Sequence, residues 1–226
     1  MNDLRFKIEG RESPLEITNY SLVIAGFTGS DPVRVERHLS ELREQGVVVP
    51  DKFPVFYPVP SELAVQNKTI EVSSERTSGE IEPVLIISKG QYYITLGSDH
   101  TDREIEKTSI SMSKASCSKP LSDSALPLET VVRRWDNFIV RSETLAENQW
   151  RPYQVGRVNE LIQPLRLLAL MKNASGRIPD NLVMFLGTVP IQDGRFIFST
   201  GFRGWLGDDS SSPLLGIHYE IKVRKK

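Results

Sequence analysis

Two glutamates, one residue apart, precede an apolar segment in the first half of the chain. Glu80 and Glu82 stand immediately before the run PVLIIS at 83–88. In a strand, the side chains at positions i and i+2 point to the same face, so the two carboxylates would lie side by side. Such a pair either faces water on an edge strand, which is the commoner case, or shares a positively charged partner. The pair alone does not distinguish these two cases.

A third carboxylate, Asp99, follows the next apolar segment. Residues 84–88 and 92–96 read as strands, and the Lys-Gly pair at 89–90 between them is typical of a tight hairpin turn. A hairpin would return the end of the second strand to the start of the first, where Asp99 would meet the two glutamates. Three converging carboxylates offer only oxygen ligands, which suit a hard divalent cation. The expected cofactor is Mg²⁺ or Mn²⁺, with Ca²⁺ as an alternative.

The elements around this hairpin predict an α+β fold that is mostly β. Further strands are expected at 22–26, 70–72, 138–141, 182–186 and 217–223, and a Gly/Asp/Ser loop at 201–213. A second helix lies within 155–173, where Pro164 either kinks it or limits it to its C-terminal part. No internal repeat or linker divides the chain, so residues 1–226 are expected to form a single domain.

The helix predicted at 31–46 carries two residues that could exchange protons. Asp31 suits the N-cap, the proline after it suits the first turn, and Gly46 offers a stop. His38 and Glu41 are spaced i,i+3 and share a face of this helix. An imidazole held by a carboxylate is a good general base near neutral pH, whereas the alternative is an exposed surface pair. The helix is short, charged on most faces and followed by a proline-rich stretch, so we expect it to be mobile over the site.

The composition excludes several classes of partner. A net charge of −1 and a pI near 6.3 give no electrostatic reason to expect binding to nucleic acid or to an anionic membrane. The single cysteine, Cys117, cannot form an intrachain disulfide, which suits a reducing compartment. The start lacks a secretory signal pattern, and no segment approaches the roughly 20 apolar residues that cross a bilayer. A G-x-S-x-G elbow and phosphate-binding glycine loops are absent from the sequence. These patterns predict a soluble cytoplasmic protein.

The hairpin segment resembles the metal-binding core of the fumarylacetoacetate hydrolase family, and is closest to a bacterial branch of it. That family has an E-x-E pair that opens a strand, followed by a motif of the type N-D-x-S-x-R-D. This chain has E-I-E at 80–82 and SDHTDRE at 98–104. The resemblance implies that Glu80, Glu82 and Asp99 bind the divalent cation. The chain departs from the family pattern at the proline directly after the pair.

Two polar residues flank Asp99 in this motif. Ser98 stands where asparagine is usual in the family, and His100 follows the aspartate. The resemblance implies that both lie at the substrate. His100 is also a rival to His38 as the general base, and the alternative is a packed structural histidine.

Three further segments follow the family's order: FPVFYP at 53–58, KASCSKP at 114–120 and GTVP at 187–190. The second resembles a lysine-led, proline-ended segment that supplies an active-site lysine, which implies Lys114, or else Lys119. The third resembles a G-T-P turn, which implies that Gly187 and Thr188 bind the substrate's carboxylate. The first lacks the family's usual lysine. The resemblance spans roughly residues 22–195.

The resemblance also implies an activity and a fold. The activity would be that of a metal-dependent hydrolase or lyase acting on a small 2-oxo or 1,3-dicarbonyl carboxylic acid. The reaction would be acylpyruvate-type C–C cleavage or decarboxylation through a metal-stabilised enolate, in which His38 and Glu41 activate water and Lys114 neutralises the oxyanion. The alternatives are a sugar-acid dehydratase or isomerase, or a non-catalytic metal- and ligand-binding module. The implied fold is a mixed β-roll or sandwich like the family's C-terminal domain, with a few short helices, in a homodimer. Specificity is expected from loops at 140–155 and 201–213.

Overall fold

The structure is a computed structural model, and it describes residues 3–44, 48–208 and 213–224. The strands in the described residues are β1 (Leu4–Ile8), β2 (Leu15–Ile17), β3 (Ser21–Gly26), β4 (Val55–Val59), β5 (Ala64–Val65), β6 (Thr69–Val72), β7 (Thr77–Ser78), β8 (Ile81–Ser88), β9 (Gln91–Ser98), β10 (Thr101–Asp102), β11 (Lys119–Pro127), β12 (Phe138–Ala146), β13 (Gln149–Arg157), β14 (Leu182–Phe185), β15 (Gly201–Asp208) and β16 (Leu215–Val223). The α-helices are α1 (Pro32–Glu44), α2 (Arg103–Glu106), α3 (Ile110–Lys114), α4 (Leu128–Val132) and α5 (Pro164–Ser175). Short 3₁₀ helices lie at Ser61–Leu63, Trp135–Asn137 and Val158–Glu160. The expected class, mostly β with a few short helices, is confirmed.

Two sheets dominate the fold. The larger one has the order β2-β1-β11-β9-β8-β14-β3-β4, with β5 added beside β11, and the smaller one has the order β13-β12-β15-β16-β6. Every residue of β8 is buried, as expected for a central strand that is covered on both faces. Its alternate side chains enter two cores: Leu85 and Ile87 join the core that includes the smaller sheet and α5, and Val84 and Ile86 join the core on the opposite face.

The predicted hairpin is present and longer than expected. Lys89 and Gly90 have φ angles of 51° and 74°, the pair of positive values that a type I′ turn requires. The register pairs Ile81 with Ser98, so the two strands reach the carboxylates together. The proline that departs from the family pattern, Pro83, lies within β8 opposite Leu96 without interrupting the pairing.

The two predicted helices are also found. Asp31 caps α1, because its Oδ1 accepts a hydrogen bond of 2.9 Å from the Val33 amide. The predicted stop at Gly46 lies outside the described residues. Pro164 begins α5, so of the two alternatives it limits this helix and does not kink it.

The prediction of a loop at 201–213 is wrong for residues 201–208. This segment is β15, an interior strand of the smaller sheet between β12 and β16. Its glycines fill tight positions: a Cβ on Gly204 would lie 2.6 Å from the Ile81 Cδ1 atom, which belongs to the strand that carries the site. The segment 140–155 is likewise the hairpin of β12 and β13. Glycine-rich composition suggested a loop, but the reason for it is close packing between sheets.

Candidate metal centre and its cavity

Glu80, Glu82 and Asp99 converge at the open end of the β8–β9 hairpin. One carboxylate oxygen from each lies within 4.8 Å of the others, and the Asp99 amide donates a 2.9 Å hydrogen bond to the Glu80 carbonyl. The side chain of Glu80 is 15% exposed, whereas Glu82 and Asp99 are buried. The predicted approach of the three carboxylates is therefore present, and it follows from the hairpin register.

Three cations surround this cluster. Lys114 Nζ contacts both Asp99 Oδ2 and, at 3.1 Å, Glu80 Oε2. Lys119 Nζ lies 2.8 Å from Asp99 Oδ1, and Arg103 Nη2 lies 3.0 Å from Glu80 Oε1. Burial by itself would raise the pKa of Asp99, but Lys114 and Lys119 outweigh it and lower the pKa to about 2. Burial opposes the shift at Glu80 too, where Lys114 and Arg103 lower the pKa below its usual value.

Two short helices bring Lys114 and Arg103 to the cluster. The Asp102 carboxylate caps α2 by accepting hydrogen bonds from two backbone amides, which places Arg103 at the first helical position. Ser109 caps α3 with a 3.2 Å hydrogen bond from the Met112 amide, and Lys114 ends this helix. Both helices follow β9 and the two-residue strand β10, so the segment that begins at Asp99 also carries these two cations.

Glu82 is the carboxylate for which the described residues provide no cation contact. Its Oε2 accepts a 2.8 Å hydrogen bond from the Gly187 amide. Burial and then the negative charge of Asp99 raise the pKa of Glu82 well above its ordinary value, although Lys114 and the Gly187 amide act in the opposite direction. A further positive charge at this point would offset both effects. The donor set is three carboxylates, and the cost of burying them is not fully compensated. This donor set therefore fits a hard divalent cation.

The structure separates the two candidate lysines. Lys114 lines the cavity, whereas Lys119 is fully buried behind Asp99 and also donates a 2.7 Å hydrogen bond to the His100 carbonyl. Burial alone would lower the pKa of Lys114, but Asp99 and Glu80 raise it well above its ordinary value, so this side chain stays an ammonium. Lys114 can meet a substrate, and Lys119 holds Asp99 in place.

Ser98 and His100 point away from the carboxylate cluster into a closed hydrogen-bond network. Tyr219 OH lies 2.8 Å from Ser98 Oγ and 3.0 Å from His100 Nδ1, and His100 Nε2 lies 2.9 Å from Thr77 Oγ1. Burial, followed by the charges of nearby cations, lowers the pKa of His100 to about 3, so the ring is neutral. Both residues are fully buried, and substrate contact would require them to leave these bonds. The arrangement corresponds to the packed structural histidine, the alternative to a general base here, because neighbours of a strand residue point to the opposite face.

The turn predicted to bind a carboxylate closes over the end of β8. Gly187 has a φ of 99°, and a Cβ there would lie 1.8 Å from Thr28 Oγ1, so glycine is required for both conformation and space. Thr188 Oγ1 donates a 2.7 Å hydrogen bond to the Ile81 carbonyl. The hydroxyl proton is thus used in a hydrogen bond to β8. The Thr188 backbone amide has no hydrogen-bond partner among the described residues.

Gln154, which sequence analysis did not single out, joins this turn to the carboxylate strand. Its Oε1 accepts a 3.0 Å hydrogen bond from the Ile81 amide, between the two glutamates, and a 3.2 Å bond from Ser142 Oγ. Its Nε2 donates to Thr188 Oγ1 at 2.8 Å and to the Val189 carbonyl at 2.7 Å. The side-chain amide is therefore fully used in positioning the E-x-E pair and the Gly-Thr turn relative to each other.

Replacing Gln154 by leucine is expected to lower the free energy of unfolding by about 3 kcal/mol, because it leaves several buried polar groups without partners. Urea denaturation of the variant beside the wild type measures this change. Gln149→Leu is the matched control on the same strand, since Gln149 is exposed. Equal stability of the two variants would contradict the assigned role.

A cavity of about 900 Å³ opens above the cluster, and Glu80, Glu82 and Lys114 line its floor. Helix α1 forms part of its wall and presents His38 and Glu41, the predicted acid–base pair. Their Nδ1 and Oε2 atoms are 3.9 Å apart, and their side chains are 60% and 57% exposed. The pair reaches the cavity, but at this separation the carboxylate does not hold the ring through a hydrogen bond.

Comparisons with known proteins agree with this architecture. Residues 25–219 match a family described as protein of unknown function (DUF2848), and no curated protein matches the sequence. Among solved structures, 2-keto-3-deoxy-D-arabinonate dehydratase complexed with magnesium and 2,5-dioxopentanoate is 14% identical with a TM-score of 0.66, over 96% of this chain and 78% of that one. Its apo form is 13% identical with a TM-score of 0.65, over 91% and 74% of the two chains. Cg1458 is 12% identical with a TM-score of 0.64, over 96% and 83%.

These structures have the fumarylacetoacetate hydrolase-like fold, so the expected fold is confirmed. Identities this low show the fold alone. No helix within the described residues is both long and apolar enough to cross a membrane.

Proposed function

The chain belongs to the family described as protein of unknown function (DUF2848), and we propose that it is a divalent-metal-dependent enzyme acting on a small 2-oxo carboxylic acid. The proposal rests on one observation, the convergence of Glu80, Glu82 and Asp99 within 4.8 Å, with the two glutamates on the floor of a large cavity. A buried cluster of three carboxylates is costly to fold, and a bound cation is the usual reason that proteins keep one. The fumarylacetoacetate hydrolase-like fold supports membership in that wider family.

The charges around the cluster favour one more cation and one more anion. With Glu82 ionised, the charged groups at the cluster are the carboxylates of Glu80, Glu82, Asp99 and Glu106 and the cations Lys114, Lys119 and Arg103. A divalent ion would turn the single excess negative charge into a single positive one, which a monoanionic carboxylic acid would neutralise. When bound, Mg²⁺ or Mn²⁺ would supply a Lewis acid beside the keto and carboxylate oxygens, and this lowers the pKa of the C–H bond next to the keto group.

The chain's own residues would have separate roles. The Lys114 ammonium would hold the negatively charged substrate oxygens, since its pKa is raised and it reaches the cavity. The Thr188 backbone amide, rather than its committed hydroxyl, would donate to the substrate's carboxylate. His38, with Glu41 beside it on helix α1, would exchange the proton at the wall of the cavity, where both are exposed to water.

We favour dehydration of a 2-keto-3-deoxy acid over acylpyruvate hydrolysis as the reaction. Solved structures with this fold include a 2-keto-3-deoxy-D-arabinonate dehydratase that binds magnesium, which supports the dehydratase alternative. In such a reaction the C3–H bond breaks with its proton going to a base, and the C4–O bond breaks as the hydroxyl takes a proton and leaves as water. C–C cleavage of an acylpyruvate and decarboxylation of oxaloacetate begin from the same head group, and they remain the second candidates.

Turnover assays on the metal-loaded protein test the proposal. We expect 2-keto-3-deoxy acids that carry a hydroxyl on C4 to lose water, detected by NMR, in the presence of Mg²⁺ or Mn²⁺ and not after EDTA treatment. Release of pyruvate from acylpyruvates or of CO₂ from oxaloacetate would select the second candidates. Metal binding without turnover of any of these acids would contradict an enzyme and favour a non-catalytic binding module. Four further expectations stay predictions from the sequence: the homodimer, the cytoplasmic location, the single domain and the mobility of helix 31–46.

A further inference from the structure

The part of the cavity beyond the carboxylate floor is largely apolar. Its apolar wall includes Phe27, Val35, Leu42, Ile110, Phe196 and Phe198. Phe196 is 47% exposed, so its ring is accessible from the cavity. A cavity of about 900 Å³ is also far larger than a 2-oxo acid head group requires, since whole drug-sized ligands occupy cavities of roughly 300–1,000 Å³.

The two phenylalanines between β14 and β15 are fixed against arginines at the edge of the site. The Phe196 ring centroid lies 4.1 Å from Arg103 Cζ, and the same guanidinium contacts Glu80 at 3.0 Å. The Phe198 ring centroid lies 5.0 Å from Arg76 Cζ. The Arg103 guanidinium thus lies between Glu80 and the Phe196 ring. A substrate whose head group binds at Glu80 would therefore place the chain beyond that head group over the Phe196 ring.

A third aromatic ring, that of Phe27, lines the cavity, and the backbone at this residue is strained. Phe27 has a φ of 57°, in the left-handed region that bulky side chains rarely adopt. Its ring lines the cavity, and the ring centroid is 6.4 Å from that of His38. Backbone strain of this kind persists mainly where the surrounding structure over-determines it, often at ligand sites.

The two arginines that contact the phenylalanine rings are paired with carboxylates. Glu104 accepts hydrogen bonds from Arg76 at 2.6 Å and from Lys107 at 2.8 Å, and Arg103 is held by Glu80 and Glu106. The amide of Gln154, the polar group nearest the turn, makes four hydrogen bonds of its own. A polyhydroxylated tail would leave water and find these donors and acceptors already used, whereas an apolar tail would bury area against the rings.

We infer that the substrate is a 2-oxo carboxylic acid whose chain beyond the reacting carbons is apolar, and that Phe196 and Phe198 hold that tail. The inference rests on the proposed function for its head group and adds the class of the tail. It assigns the two phenylalanines to specificity, separate from the carboxylates that would hold the metal.

Titration calorimetry of the Mn²⁺-loaded protein with three acids tests the inference. Pyruvate carries the head alone, 2-oxo-4-phenylbutanoate adds an apolar tail, and 2-keto-3-deoxygluconate adds a hydroxylated one. We expect the phenyl compound to bind at least about tenfold more tightly than pyruvate. Phe196→Ala and Phe198→Ala should each remove most of this gain and leave the affinities for pyruvate and Mn²⁺ unchanged.

Tyr92→Ala is the matched control, because Tyr92 is an aromatic residue exposed to 38% that does not line the cavity. Tighter binding of the hydroxylated acid, or a phenyl gain that both phenylalanine variants retain, would overturn the apolar-tail assignment and leave the proposed function standing. Failure of all three acids to bind the Mn²⁺-loaded protein would overturn both.

Discussion

Replacing Glu82 by glutamine is expected to abolish divalent-cation binding while leaving the folded protein at least as stable. The glutamine keeps the size of the side chain and an oxygen that can accept the hydrogen bond from Gly187. It removes the one carboxylate in the cluster whose pKa burial and Asp99 raise. The affinity for Mn²⁺ should fall by at least roughly 100-fold, since losing even a partner of a metal ligand costs about 10–100-fold.

The sign of the stability change is the second part of this expectation. Consider a carboxyl group whose pKa is higher in the folded than in the unfolded protein. It stabilises the fold at pH values below its pKa in the unfolded chain, and this contribution is lost as the pH rises through its pKa in the folded protein. The metal-free wild type should therefore lose free energy of unfolding relative to Glu82→Gln as the pH increases above the ordinary glutamate value. Urea denaturation at pH 5 and pH 8, in EDTA, measures the difference.

Glu104→Gln is the control for Glu82→Gln, because Glu104 also lines the cavity but pairs with Arg76 and Lys107 outside the cluster. Calorimetric titration with Mn²⁺ should show wild-type affinity in this control. If Glu82→Gln binds Mn²⁺ as the control does, Glu82 is not a ligand, and the cluster would lose its place as the metal site.

The site was predictable where its residues are close in sequence. The i,i+2 spacing of the two glutamates and the turn at 89–90 are local signals, and together they fix which strand ends meet. The convergence of Glu80 and Asp99 follows from that hairpin alone. The N-cap of α1 at Asp31 is a local signal as well and is confirmed, whereas Pro164 left two alternatives for α5.

The residues that sequence analysis missed act across long separations. Gln154 bonds to the Ile81 amide 73 residues away, and Tyr219 bonds to Ser98 at a separation of 121 residues. Neither residue has a distinctive neighbour in the sequence, so its role becomes visible only when the smaller sheet is packed against the larger one. The same packing explains Gly204, whose missing side chain makes room for Ile81, and which composition placed in a loop. Side-chain direction could not be predicted either, since the resemblance to the family motif does not show that Ser98 and His100 face away from Asp99.

Replacing Lys114 by methionine is expected to change metal affinity in the direction opposite to Glu82→Gln. The ammonium contacts Asp99 and Glu80, the same carboxylates that would hold the cation. Methionine keeps the length of the side chain and removes both the competing contact and the repulsion between two positive groups a few ångströms apart. Mn²⁺ should therefore bind at least about tenfold more tightly, which corresponds to roughly 1.4 kcal/mol.

The same variant separates metal binding from catalysis. Without the ammonium, the metal-free cluster is left with under-compensated buried carboxylates, so the free energy of unfolding in EDTA should fall by about 3 kcal/mol, and saturating Mn²⁺ should restore it. Turnover of any 2-oxo acid that the wild type converts should nevertheless be lost, because the ammonium that would hold the substrate oxygens is gone. Lys107→Met is the control at the cavity mouth, where Lys107 pairs with Glu104. A folded Lys114→Met protein that binds Mn²⁺ more weakly than the wild type would show that the ammonium supports the cation instead of competing with it, and would contradict the electrostatic account of the site.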